Sequence, residues 1–171
     1  MDLHIEPEQP GDQAAIHDLT RRAFAGRPYA AGDEQELVDA LRAVGALALS
    51  LVARLDGQIV GHLALSPATH ESGAAGWYTL GPISAAPALQ RQGIGAALMA
   101  TARSWLEAQG AAGCILTGDP RYYSRHGYVP APDHCPPGEP AQYFQLLPLR
   151  GPAPAGRFRF HPVFSAGHPA N

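Results

Sequence analysis

The stretch LGPISAAPALQRQGIGAAL, residues 80–98, constrains this chain more than any other. A β-prone run passes into a loop, the loop supplies Gly93 and Gly95, and a helical pattern begins at once. A helix start leaves about four backbone N–H groups without internal partners and carries partial positive charge, so it suits phosphate. Glycines let a ligand come close to that backbone. The segment therefore predicts a pyrophosphate cradled by N–H groups between Arg91 and Ala96, with Arg91 as an extra charge. The competing reading of a bare G-x-G is a tight strand-to-helix turn with no ligand.

The rest of the chain supplies the frame around that loop. Leu3 to Glu6 reads as a short strand, and Asp12 stands as cap of a helix whose apolar face is Ile16, Leu19 and Ala23 with Phe24 beside it, stopped by Gly26. Asp33 and Glu36 resemble a capping box ahead of Leu37, Leu41 and Val44, with Gly45 as the stop. Residues 47–54 and Ile59 to Leu65 are strands around the Asp56-Gly57 turn, and Trp77 to Ala85 is a third, interrupted by Gly81-Pro82 as a bulge or splay would be. A helix runs from Gly95 to Gln109 with Leu98, Ala102, Trp105 and Leu106 on one stripe, then a buried strand from Gly113 to Thr117. Asp119-Pro120 and Gly127 bracket a helix of about two turns, and Tyr143 to Leu149 is a last strand after a Pro-rich loop. This order predicts an α/β (α+β) domain around one mixed, mostly antiparallel sheet over residues 1–150, with an Arg/Pro/Phe-bearing tail over 151–171 packed on it.

Missing residues decide which phosphate ligand fits. A dinucleotide fingerprint needs a small residue where Leu98 stands, and a nucleoside-triphosphate loop needs a lysine, whereas all 12 basic residues here are Arg. A net charge of −3 with scattered arginines predicts no nucleic-acid partner. The acidic, polar amino terminus and the lack of any long apolar run predict a cytoplasmic protein without membrane contact. Cys114 and Cys135 have no CxxC spacing and read as reduced thiols, and no metal site is expected.

The run Gln90-Arg91-Gln92-Gly93-Ile94-Gly95 resembles the Q/R-x-x-G-x-G/A motif of the GNAT acyl-CoA-dependent N-acetyltransferases, and it likewise follows a strand and opens a helix. Gly118 to Tyr128 resembles the G-D-P-x-x-Y-x-R-x-G-F segment of a bacterial subgroup of that family, with Tyr128 in place of Phe. Further similarity lies at Glu34, Leu37-Val38 and Leu41-Arg42, at Leu80 to Ala85, and at Phe160-His161 with Phe164. The resemblance covers most of residues 3–150. One departure is the Gly118-Asp119-Pro120 turn, where many members carry an Asn that helps to position the cofactor.

The resemblance implies a sheet splayed between its fourth and fifth strands, Trp77 to Ala85 and Gly113 to Thr117, with acetyl-CoA in the wedge. Backbone groups of Ile83, Ser84 and Ala85 would pair with the pantetheine arm, as an unpaired strand edge can. Gln90, Arg91, Gln92, Gly93, Ile94, Gly95 and Ala96 would hold the pyrophosphate. Tyr123 matches the family's general acid, a phenol able to protonate the departing thiolate. The reaction implied is acetyl transfer from acetyl-CoA to a primary amine by direct attack, the acceptor being a small molecule or a peptide or protein amine. A non-catalytic acyl-CoA-binding module is the alternative, and a dinucleotide-dependent oxidoreductase a more distant one. Glu34, His62, His70, Glu71, Asp133 and His134 are all candidates for the base, and Glu34 also for holding a cationic amine. A water chain is a further alternative for the base, and the sequence does not rank these candidates, nor does it choose between a monomer and a homodimer.

Overall fold

The computed structural model describes residues 2–28 and 30–166. Among the described residues the chain runs β1 (Leu3–Pro7), α1 (Gln13–Phe24), α2 (Glu34–Ala43), β2 (Leu49–Leu55), β3 (Gln58–Pro67), β4 (Thr69–His70), β5 (Trp77–Ala85), α3 (Ile94–Ala108), β6 (Gly113–Thr117), α4 (Pro120–Tyr123), β7 (Val129–Pro130), β8 (Phe144–Pro148), β9 (Phe158–Arg159) and α5 (Val163–Ala166). Seven of the strands form one sheet in the order β1-β2-β3-β5-β6-β8-β7. Every neighbouring pair is antiparallel except β5–β6, whose parallel connection is made by α3. The mixed, mostly antiparallel sheet expected from the element order is therefore present, flanked by helices.

Strand alternation gives the sheet two different faces. Leu63, Leu65, Leu80, Cys114 and Leu116 turn to one side and pack with Ile94, Leu98, Ala102 and Leu106 of α3. Burying a side chain such as Leu98 completely contributes about 1.5–3 kcal/mol, so this layer supplies much of the stability. The opposite face is covered in two halves. Val52 packs with Ile16 of α1 and Val38 of α2, while Ile115, Phe144 and Leu146 pack with Trp77 and Phe158.

Phe158 reaches that second half because the chain after β8 returns across it. β9 pairs with β4 as a small separate ribbon, Thr69 opposite Arg159 and His70 opposite Phe158. The Phe158 ring lies 4.7 Å from that of Trp77 and 4.6 Å from that of His70, centre to centre. Phe160 packs with the same cluster and α5 meets α2, while residues 167–171, the end of the expected tail, lie outside the described residues.

Three local expectations need correction. Asp12 occupies the N-cap of α1 but makes no side-chain cap bond; its carboxylate accepts the Gln9 N–H and pairs with Arg54 instead. Asp33 and Glu36 do not form a capping box, because Glu34 reaches back to the N–H groups of Ala31 and Gly32 at 2.8 and 3.1 Å. The buried stripe of α2 is Gln35, Val38 and Leu41, leaving Val44 58% exposed. Where Leu37 and Val38 adjoin, a 3.6-residue period admits either register, and packing on Val52 selects Val38.

Gly61 sets the distance between α3 and the sheet. A Cβ there would lie 2.6 Å from Ile94 Cγ2 and 3.1 Å from Leu98 Cδ1, so only a hydrogen lets the first turns of α3 sit on β3. Gly61→Ala is expected to destabilise the fold by about 1–3 kcal/mol through overpacking, read as a lower urea midpoint with an unchanged slope. An unaltered midpoint would show that α3 is free to move.

Candidate active site

β5 and β6 stay together for three residues only. Trp77, Tyr78 and Thr79 pair with Gly113, Cys114 and Ile115, and beyond Thr79 the strands part. β5 continues along β3, but its register jumps between Leu80 opposite Leu65 and Ile83 opposite Leu63, so β5 uses one residue more than its partner. The extra residue falls at Gly81-Pro82, and such a bulge bends a strand away from its neighbour. The edge of Ile83, Ser84 and Ala85 that faces β6 is left without a strand, open to an amide-bearing chain.

That edge leads straight into the glycine loop. Arg91 has φ +67° and Gly93, the N-cap of α3, has φ +86°, alternating with Gln92 and Ile94, which lack positive φ. Alternation of this kind turns successive N–H groups inward as an anion nest. The first intrahelical bond is Ala97 N–H to Gly93 O at 3.0 Å, so the N–H groups of Ile94, Gly95 and Ala96 project from the helix start. α3 therefore begins at Ile94, one residue earlier than its pattern suggests. Gln90 braces the loop, donating to Ala85 O at 3.4 Å and accepting from Arg27 Nη2 at 2.7 Å. Arg27 thus brings a second guanidinium to this end, a contribution that a separation of 63 residues concealed. The two glycines serve differently: Gly93 allows a left-handed backbone, whereas a Cβ on Gly95 would stand 2.7 Å from the Tyr122 hydroxyl.

The short helix α4 carries the two tyrosines. Asp119 caps it as expected, accepting the Arg121 N–H at 2.9 Å. The Tyr123 ring meets Tyr122 edge-on at 4.9 Å and Tyr128 at 6.1 Å, and it packs toward the α3 side of the sheet against Gly118, where a Cβ would collide with it. Burial raises the Tyr122 phenol above its usual value. Tyr128, which replaces a Phe of the resembled motif, directs its hydroxyl to the Cys114 sulfur. Burial pushes the Cys114 thiol up to about 12, so it stays protonated and chemically inert.

On the other face the structure separates the six candidate bases. His70 accepts the Ser72 N–H at 3.0 Å and lies edge-on to Phe158, Glu71 accepts the Arg157 N–H at 2.9 Å, and His134 Nδ1 lies 2.8 Å from Gly156 O, so these three fasten the tail. Asp133 is exposed on a turn. Glu34 has the turn-closing bonds described above. His62 is fully buried and ends a polar chain that starts at the surface: His17 to Asp39 at 2.7 Å, Asp39 to Arg42 at 3.1 Å, Arg42 to Glu8 at 2.9 and 3.1 Å, Glu8 to Ser50, and Ser50 Oγ to His62 Nε2 at 2.7 Å. Burial works against the Glu8 carboxylate, but bonds from Arg42 and Ser50 outweigh it and hold the group below its usual range. Burial drives the His62 imidazole down to about 4, opposed by the charge of Glu8 and assisted by that of Arg42.

Among the described residues no three His, Cys, Asp or Glu side chains group as metal ligands would, and no helix is long and apolar enough to cross a membrane. Two hollows, of about 350 Å³ beside Trp77 and about 260 Å³ between α3 and Gly127, lie away from the place where β5 and β6 part.

Residues 13–128 match the Acetyltransferase (GNAT) family. The chain is 34% identical to the uncharacterized N-acetyltransferase YhbS of Escherichia coli K12 over 131 residues, 76% of this chain and 75% of that protein. A GNAT family acetyltransferase from Brucella melitensis, solved in complex with acetyl-CoA, superposes with a TM-score of 0.85 at 42% identity, covering 95% of this chain and 98% of the other. Escherichia coli YhbS, solved in complex with CoA, superposes with a TM-score of 0.87 at 30% identity over 95% and 92% of the two chains.

The buried imidazole makes stability depend on pH with a definite sign. A histidine lowered from 6.5 to about 4 favours folding in its neutral form, so the contribution is complete above pH 6.5 and is lost as pH falls toward 4. The loss amounts to about 3 kcal/mol for this group. Urea unfolding across that range is expected to show the wild type weakening by about this much more than His62→Gln; parallel curves would mean that His62 is charged or solvated in the native state.

Proposed function

The chain belongs to the acetyltransferase (GNAT) family and is an acetyl-CoA-dependent acyltransferase, and we propose that it moves the acetyl group to a primary amine by direct attack, without a covalent acyl-enzyme. The observation that carries this reading is the continuity of two binding surfaces, a strand edge that opens at Thr79 and runs directly into an anion nest at a helix start. Amides of a pantetheine arm suit the first, and a diphosphate suits the second. Two similar proteins solved with acetyl-CoA and with CoA support the assignment.

In this reading Ile83, Ser84 and Ala85 hold the pantetheine through their backbone. The N–H groups from Arg91 to Ala96 hold the pyrophosphate, with Gln90 and Gln92 shaping the loop and Arg91 adding charge. Acetyl-CoA, when bound, supplies an acyl group activated as a thioester. Tyr123 donates its phenolic proton to the sulfur as it leaves, from the α3 side of the sheet. Glu34 keeps a carboxylate at the start of α2, where it favours a cationic acceptor while its local bonds fix the wall. The acceptor is an amine of a small molecule, a peptide or a protein. Residues 1–150 form the transferase domain and 151–171 its tail, working in the cytoplasm as a monomer or homodimer.

Thiol release from acetyl-CoA across a panel of alkylamines, peptides and aminoglycosides tests the reading. Transfer to at least one amine is expected, and binding of acetyl-CoA with no transfer to any would identify a non-catalytic binding module. Tyr123→Phe should lower turnover by roughly ten-fold or more while acetyl-CoA still binds; an undiminished rate sinks the role of Tyr123 as acid.

A further inference from the structure

The hollow of about 260 Å³ between α3 and Gly127 starts close to the anion nest. Gly95, Met99 and Arg103 recur every four residues, so they share one stripe of α3, and all three meet the segment from Tyr122 to Gly127. At a rise of about 1.5 Å per residue, Met99 and Arg103 stand about 6 and 12 Å along the axis from Gly95. Tyr122 bridges that interval. Its hydroxyl lies beside Gly95 and its ring 5.1 Å from that of His126, centre to centre, so a wall of two rings leads from the helix start to the hollow.

The hollow has an apolar floor and a cationic rim. Met99, Ala102 and Leu147 are buried in its floor, and Arg103, Arg125 and His126 stand around it. The Arg103 guanidinium is bonded to Glu107 Oε1 at 3.0 Å and reaches His126 O at 3.5 Å, so its charge is already matched. Arg125 is exposed, and among the described residues no carboxylate pairs with it. Burial, aided by the charge of Arg125, keeps the His126 imidazole below its usual value and therefore uncharged at neutral pH. An uncompensated guanidinium over an apolar floor, beside an uncharged ring, suits a planar base that carries an anionic group.

We propose that this hollow holds the adenosine 3′-phosphate end of acetyl-CoA, with Met99 and His126 against the adenine and Arg125 on the 3′-phosphate, so that the chain selects CoA over its dephospho form. This rests on the acetyl-CoA reading above. The strand edge and the nest account for pantetheine and diphosphate and leave the nucleoside without a place. Adenosine hangs from the diphosphate through a single ribose, so it has to lie near the first turns of α3. The volume suits one bicyclic base, being smaller than pockets that enclose a whole drug-sized ligand. The 3′-phosphate is the one group that CoA has and dephospho-CoA lacks, and a planar guanidinium can pair with it through two parallel N–H bonds. No bond is made or broken at this end, and its contribution is to affinity and choice of cofactor.

Calorimetric titration of the protein with CoA and with dephospho-CoA tests this. The wild type should bind CoA about ten-fold or more tightly than dephospho-CoA. Arg125→Gln should weaken CoA by about that factor and dephospho-CoA by less than about two-fold, which abolishes the preference. Retained binding of dephospho-CoA also shows that the variant is folded. Equal losses for both forms, or no loss, overturn the proposal. His126→Ala should weaken both forms together, by about five-fold or more, since it removes a ring and no charge; unchanged affinity for both overturns the place of the adenine. If Arg125→Gln does not fold, competition on the wild type decides: adenosine 3′,5′-bisphosphate should displace CoA at a concentration about ten-fold lower than adenosine 5′-monophosphate does, and equal potency overturns the proposal. A wild type that binds neither CoA nor dephospho-CoA fails at the acetyl-CoA reading itself, whereas one that binds both alike fails at this subsite alone.

Discussion

The short parallel pairing of β5 with β6 is the constraint around which the molecule is arranged. Three residues of ladder join the two strands, after which the bulge at Gly81-Pro82 turns β5 aside while β3 keeps it in the sheet. A longer ladder would close the cleft, and a shorter one would divide the sheet. The helix that bridges the two strands starts where the open edge ends, so one crossover creates both the gap and the charged end that a phosphate needs. Gly61 keeps that helix close enough to β3 for the two to act as one surface.

Electrostatically the two faces are built on different terms. The start of α3 presents backbone N–H groups beside Arg27 and Arg91, in a chain that contains no lysine. The opposite face carries its charge inward through Asp39, Arg42 and Glu8 to Ser50 and His62, each member hydrogen-bonded to the next. A half-satisfied buried network is costly and a complete one rigid. This one is complete except at His62 Nδ1.

What the sequence made legible was local. Positive φ, a helix start and a cap depend on neighbouring residues, so the glycine loop and the Asp119-Pro120 to Gly127 helix could be placed from their own letters. The buried polar chain could not, because Glu8, Arg42, Ser50 and His62 lie on separate parts of the chain and only the packing of α2 on the sheet and the sheet register gather them. Asp12 holds the N-cap position, but its carboxylate goes to a guanidinium from β2 that no local pattern announces. The β4–β9 ribbon has two residues on each side, too few to show any alternation, yet it fastens the tail.

The contact between Gly95 and Tyr122 joins two segments that look independent along the chain. Position 95 lacks a side chain for want of room, not for its backbone angle, and the room is occupied by a phenol from α4. The two positions therefore form a single unit of variation. In descendants of this chain an alanine at 95 becomes acceptable once residue 122 shortens or α4 shifts, whereas a change at 93 has no such compensating site. The second glycine of the loop is thus coupled to the placement of the tyrosine helix, and drift at one end of the cleft has to be answered at the other.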